Sequence, residues 1–197
     1  MKIHLAAAHI AVCLSMLLLV PLPSSAGPID RVKAWERALN SHQTGKVLAL
    51  YAEDATLDHA GMVVFKGKAE MRGFFEWDRV MNIRLSLSNF RQEGDTVFCT
   101  GIETSDWLTA AGLGEQSYSA IKFTFREGMV TFQQEVLSPE SFKALIETSH
   151  ALQIWASQER SEQVATMRAG GKFIYNEETA KMNLDLMREW REATKTR

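Results

Sequence analysis

The chain has 197 residues, a formal charge of −2 at neutral pH and 46% hydrophobic residues. That length suits one domain with a sizeable core plus an elaboration, and the near-balanced charge argues against nucleic acid or an acidic membrane as partner, since both select clustered Lys and Arg. With only two cysteines, Cys13 and Cys99, the chain is not a small scaffold stapled by disulfides.

Lys2 is followed by an apolar run from Leu5 to Val20 and then by Pro21-Leu22-Pro23-Ser24-Ser25-Ala26. The run is shorter than the ~20 residues that a spanning helix needs, and Ser24 and Ala26 supply the small residues of a signal peptidase site. The pattern predicts a cleaved signal peptide over residues 1–26 and a mature chain that starts at Gly27. It also predicts export to the periplasm or the medium, with no stable membrane anchor after cleavage. Cys13 leaves with the signal, and Cys99, in an apolar strand, reads as a buried small hydrophobe.

After Pro28-Ile29-Asp30, the residues Val32, Trp35, Ala38 and Leu39 place one apolar stripe on a helix. A break from Asn40 to Gly45 leads to a second helix carrying Val47, Leu48, Leu50 and Tyr51. Tyr51-Ala52-Glu53-Asp54 closes that segment, and Ala55 to Asp58 alternates as a half-buried strand does. Gly61 turns the chain, Val63-Val64-Phe65 is a short apolar run, and after Gly67 a helix buries Ala69, Phe74 and Phe75.

Strands follow. Ile83, Leu85 and Leu87 share one face, and Glu93-Gly94-Asp95 is a hairpin turn. A strand from Thr96 to Trp107 gathers Glu103, Asp106 and Trp107 near its far end. Ala110 to Gly114 turns again, and Ile121, Phe123 and Phe125 alternate with polar residues. Val130 to Leu137 carries Thr131, Gln133 and Glu135 on one face. Alternation leaves open which faces line the interior, because a one-residue slip exchanges them.

Ser138 caps a helix with Pro139 at its first position, and Phe142, Leu145, Ile146, Ser149, Leu152, Trp155 and Ala156 fall on one stripe. The helix is expected to run toward Ala169 and stop at Gly170-Gly171. Phe173-Ile174-Tyr175 forms a short hook, and Asn176 caps a last helix through Leu184, Met187 and Trp190. These two amphipathic helices have no core of their own, so they pack on the outside, over a mouth as a lid, or against a second copy in a homodimer.

The stretch YAEDATLDHAGMVVFKGKAEMRGFF, residues 51–75, resembles the nuclear transport factor 2-like superfamily, which includes the SnoaL-like polyketide cyclases and ketosteroid isomerase. The resemblance implies an α+β fold over residues 27–137: a cone-shaped, strongly curved mixed or antiparallel sheet on N-terminal helices, with a pocket at the open end. Residues 138–197 then form a C-terminal helical hairpin outside the resemblance. In the register of ketosteroid isomerase, the general-base position falls on His59, beside Asp58. One oxyanion donor position falls on Trp35 and the other on Ile121. Isoleucine has no proton to donate, and losing such donors removes several kcal/mol of transition-state stabilisation, which excludes steroid isomerisation.

His59 and Asp58 are therefore the candidate acid–base residues, although neighbours on a strand point to opposite faces, so at most one looks inward. Trp35, Tyr51, Phe75, Cys99, Glu103, Trp107, Phe123 and Glu135 are the candidate ligand-binding residues. The histidines show no metal-ligand spacing, and no phosphate loop, nucleophile elbow or dinucleotide motif is present, so neither metal nor cofactor is expected. Three functions follow in order of preference: an exported module that binds a small hydrophobic molecule, a proton-transfer enzyme of isomerase, cyclase or hydratase type, and an interaction protein that works through its C-terminal helices.

Overall fold

The computed structural model describes residues 26–195, so the expected signal peptide lies, except for Ala26, outside the described residues. Helices α1 (Pro28–Asn40) and α2 (Thr44–Leu48) lead into β1 (Tyr51–His59) and β2 (Val63–Lys66), and α3 (Gly67–Val80) follows. The sheet continues through β3 (Arg84–Glu93), β4 (Thr96–Thr104), β5 (Glu115–Arg126) and β6 (Met129–Leu137), with the short α4 (Asp106–Ala111) between β4 and β5. The six strands form one mixed sheet in the order β2-β1-β6-β5-β4-β3, in which β1 and β6 run parallel.

One face of this sheet is covered. Val32, Trp35, Ala38 and Leu39 of α1 and Met71, Phe74 and Phe75 of α3 are buried against Leu57, Leu85, Cys99, Ile121 and Phe123 of the strands. Trp35 meets Phe123 edge-on at 5.0 Å between ring centroids, a favoured aromatic geometry. Register shifts between Ser88 and Arg91, Cys99 and Gly101, and Tyr118 and Ala120 bend the strands around the helices. They also change which residues face inward: Gln116 and Tyr118 do so before the shift in β5, and Ile121 and Phe123 after it.

The expected elements need three adjustments. Tyr51 opens β1 instead of ending α2. The strand expected to reach Trp107 stops at Thr104, because the Ser105 hydroxyl accepts the Leu108 N–H at 3.1 Å and starts α4. The long C-terminal helix breaks at Arg160 into α5 (Pro139–Glu159) and α6 (Ser161–Thr166). A two-stranded ribbon, β7 (Arg168–Ala169) with β8 (Lys172–Phe173), then turns at Gly170-Gly171, both at positive φ. The expected caps are present: Ser138 Oγ accepts the Ser141 N–H at 3.2 Å, and Asn176 Oδ1 accepts the Thr179 N–H at 2.8 Å to start α7 (Glu177–Lys195). No helix among the described residues is long and apolar enough to cross a membrane.

The hook before α7 lies directly on α3. A Cβ added at Gly73 would stand 2.2 Å from the Tyr175 carbonyl oxygen, so the two backbones can approach this closely only with glycine there. Gly73→Ala is predicted to destabilise the protein by ~1–3 kcal/mol, because the steric conflict exceeds the ~1 kcal/mol of helix propensity that alanine adds. Thermal melts check this; an unchanged or higher melting temperature would contradict it.

Candidate functional site

The parallel pairing sets Leu57 opposite Gln133 and Asp58 opposite Gln134, so the inward residues of β1 lie beside those of β6. His59 thereby meets Glu135, with Nδ1 to Oε2 at 2.5 Å. Gln133 Nε2 donates to the other carboxylate oxygen at 2.7 Å, the Tyr51 hydroxyl donates to Gln133 Oε1, and the Trp35 indole N–H donates to the Tyr51 oxygen at 2.8 Å. This line of bonds fixes each donor and acceptor in turn and holds Glu135 as an acceptor on both oxygens.

Burial by itself lowers the pKa of the His59 imidazole. The hydrogen bond and charge of Glu135, with smaller contributions from Glu103 and Asp78, outweigh burial and raise it to about 9. His59 is therefore an imidazolium at neutral pH. Its Nδ1–H is engaged by Glu135 and its Nε2–H has no hydrogen-bond partner among the described residues, while the side chain keeps 19% of its surface exposed.

A second polar group faces it from other elements. Glu103 of β4 lies directly across from Gln116 of β5. The Tyr118 hydroxyl donates to Glu103 Oε2 at 2.6 Å, and Gln116 Nε2 donates to the Tyr118 oxygen at 3.2 Å. Asp78, on the buried stripe of α3, is 5% exposed, and its Oδ1 has no partner among the described residues. Burial, then the charge of Glu103, push its carboxyl well above the usual range against the opposing effect of His59, and burial likewise raises Glu103. The folded chain thus holds a proton on Asp78 that the unfolded chain releases above its ordinary pKa, so this residue costs stability increasingly as pH rises from about 4. Asp78→Asn is expected to raise the melting temperature by a few degrees at pH 7 and by less near pH 4. A lower melting temperature at pH 7 would contradict this.

These groups border a cavity of about 690 Å³, a size suited to a small molecule. His59, Asp78, Glu103 and Gln116 form its polar part, and Phe74, Trp77, Trp107, Phe173 and Tyr175 supply aromatic walls. Leu145, Ile146, Ser149 and Leu152 of α5, Met167 and Leu186 complete it, so the C-terminal elements cover the open end of the sheet. Beneath it lies a chamber of about 20 Å³ bordered by Trp35, Phe75, Tyr118 and Glu135.

Of the residues singled out in the sequence, His59, Glu103 and Trp107 line the large cavity, and Trp35, Phe75 and Glu135 the small chamber. Asp58 is on the opposite face, bonded to Gln134 Nε2 and the Gly61 N–H at 3.0 Å each, so it does not reach the cavity. Tyr51, Cys99 and Phe123 are buried in the core and border neither space. Tyr51 acts on the site through Gln133, and burial, with the nearby Glu36 and Glu135 carboxylates, pushes the Cys99 thiol up to about 12, leaving it inert as a nucleophile. The Trp35 N–H is spent on Tyr51 and is not a donor to the cavity.

Sequence reasoning missed Asp78, Gln116, Gln133 and Tyr118. For Asp78 a signal existed: it lies seven residues after Met71 and four after Phe74, on the apolar stripe of α3. No group of three or more His, Cys, Asp and Glu side chains among the described residues is placed to hold a metal ion.

A bent mixed sheet with helices on one face and a polar-ended cavity at its mouth defines a cone-type α+β protein. The chain belongs to the SnoaL-like domain family of the NTF2-like superfamily: the family model matches residues 32–133. No curated protein matches in sequence. Among solved structures, an NTF2-like protein of unknown function from Cytophaga hutchinsonii is 13% identical with a TM-score of 0.51, covering 62% of this chain and 99% of its own. SalBIII, an epoxide hydrolase/cyclase-like enzyme in pyran ring formation in polyether salinomycin, is 16% identical with a TM-score of 0.52, covering 58% and 92%. TerC, co-crystallised with polyporic acid, is 21% identical with a TM-score of 0.51, covering 61% and 98%. At these identities the likeness is one of fold.

Proposed function

We propose that the cavity binds a small, largely apolar molecule and that the protein moves a proton on it, with His59 as the acid. One observation carries this reading: His59, held by Glu135 behind it, and two further buried carboxyl groups border a single aromatic-walled cavity. Buried ionisable groups are costly, and a pocket that only held an apolar ligand would be more stable without them. The imidazolium Nε2–H donates to an oxygen of the ligand, and Asp78 or Glu103, once ionised, accepts a proton from a neighbouring carbon or hydroxyl. Isomerisation, ring closure and hydration all fit this pairing, and an epoxide hydrolase/cyclase-like enzyme among the fold neighbours supports the ring-forming branch.

Native mass spectrometry of protein purified from its own compartment identifies any molecule that stays bound. That molecule, incubated with the protein in D2O, is expected to exchange a carbon-bound hydrogen or to be converted. Retention without exchange or conversion would leave the binding-module reading standing and overturn the enzymatic one. We also propose that the chain is exported, supported by the apolar run from Leu5 to Val20 and the Ser24–Ala26 site. N-terminal sequencing is expected to begin at Gly27, and an intact Met1 in the mature protein would contradict this.

A further inference from the structure

The polar end of the cavity holds more carboxyl groups than cations. Glu135 is matched by His59, whereas among the described residues Asp78 has no ion-pair partner and Glu103 is met by the neutral Tyr118 and Gln116 side chains. Arg168, the one Lys or Arg on the cavity wall among the described residues, is exposed and donates to the Gly171 carbonyl at 3.2 Å. Independently of this charge count, two side chains of the wall are more than nine-tenths buried with an oxygen left unpaired: Asp78 Oδ1 at 5% exposure and Gln116 Oε1 at 7%. The Gln116 amide nitrogen is engaged by Tyr118 and Glu103, and its oxygen, which can only accept, calls for a donor that the described residues do not supply. The aromatic wall stands close by, with Trp77 edge-on to Phe173 at 5.2 Å and to Tyr175 at 5.4 Å.

We propose that the cavity takes a hydrophobic amine in its protonated form, its N–H groups toward Asp78, Gln116 and Glu103 and its apolar body against Trp77 and Tyr175. The inference rests on the cavity being the ligand site and adds the chemical class of the ligand. An ammonium group supplies the donor that Gln116 Oε1 lacks, favours the ionised form of Asp78 beside it and is attracted by the ring faces. An anion disfavours ionisation of these carboxyls still further, and a neutral alcohol gives Gln116 its donor but does not drive the proton off Asp78.

Proton release distinguishes these ligands. The titratable groups on the cavity wall facing the amine are His59, Asp78, Glu103 and Tyr175, with Glu135 and Tyr118 bonded behind His59 and Glu103. Of these, Asp78 holds its proton because it is buried next to Glu103, and a cation beside it drives that proton off. Isothermal titration of the full chain at pH 7 with benzylammonium, benzyl alcohol and benzoate, in two buffers of different ionisation enthalpy, tests this. The expected result is benzylammonium binding at least ~10-fold more tightly than benzyl alcohol, with benzoate weakest and about one proton released per amine bound. Asp78→Asn is expected to remove ~10-fold or more of the amine affinity and leave the alcohol unchanged, and Glu103→Gln serves as a second variant with the same expectation. Equal or tighter binding of the alcohol, or amine binding without proton release and insensitive to both variants, would overturn the inference while the cavity stood as a ligand site. If none of the three probes binds, the ligand-site reading falls with it.

Discussion

Replacing His59 with Asn is expected to lower exchange or conversion of the retained ligand by ~10²–10⁴-fold while the fold survives, the range that loss of a positioned acid or base produces. Asparagine keeps a short polar side chain next to Glu135 but presents no N–H where Nε2 stands and carries no charge. The loss is expected chiefly in turnover, since the aromatic wall formed by Phe74, Trp77 and Tyr175 still holds the apolar body. Far-UV circular dichroism and a melting curve check the fold, and turnover within threefold of wild type would remove His59 from the mechanism.

The second large effect is predicted for Glu135→Gln. Glu135 is the main source of the raised His59 pKa, through its hydrogen bond and its charge, against the lowering effect of burial. Without that charge, burial dominates, and the imidazole becomes neutral at pH 7, its midpoint falling from about 9 to below its ordinary value. Activity at neutral pH falls with it, because a neutral imidazole is a poorer proton donor. Stability follows the same linkage. The folded pKa of His59 is raised, so the stabilisation it contributes is complete below the unfolded value near 6.5 and is lost as pH rises through about 9. For wild type this amounts to on the order of 3 kcal/mol across that window. Melting curves between pH 6 and 10 should show a steeper decline in wild type than in Glu135→Gln, which keeps only the part due to Asp78; parallel curves for the two proteins would contradict the assignment.

The sequence and the structure agree most where one pattern governs a whole element. The stripe Val32, Trp35, Ala38 and Leu39 is buried as its spacing requires, and Ser138 and Asn176 cap the helices they precede. His59 and Glu135 were both visible as candidates, but their pairing was not, because it depends on β1 and β6 running parallel from distant parts of the chain. Nor could alternation locate Gln116 and Tyr118 on the inner face, since the register shift near Ala120 exchanges the faces within one strand. The break at Arg160 was hidden by a continuous helical pattern on both sides, and the Gly170-Gly171 pair that looked like a helix stop forms a ribbon turn instead. Asp58 and His59 illustrate the strand rule in its simplest form: two adjacent polar residues, of which only His59 reaches the cavity.

The charge on His59 decides between an acid and a bland core histidine. It is read most directly by NMR titration of the His59 ring in the full chain, assigned by comparison with His59→Asn. A midpoint near 9 is expected, with the ring charged throughout the neutral range. A midpoint at or below the ordinary ~6.5 would mean that Glu135 does not hold the imidazolium, and the proposed proton donor would be lost.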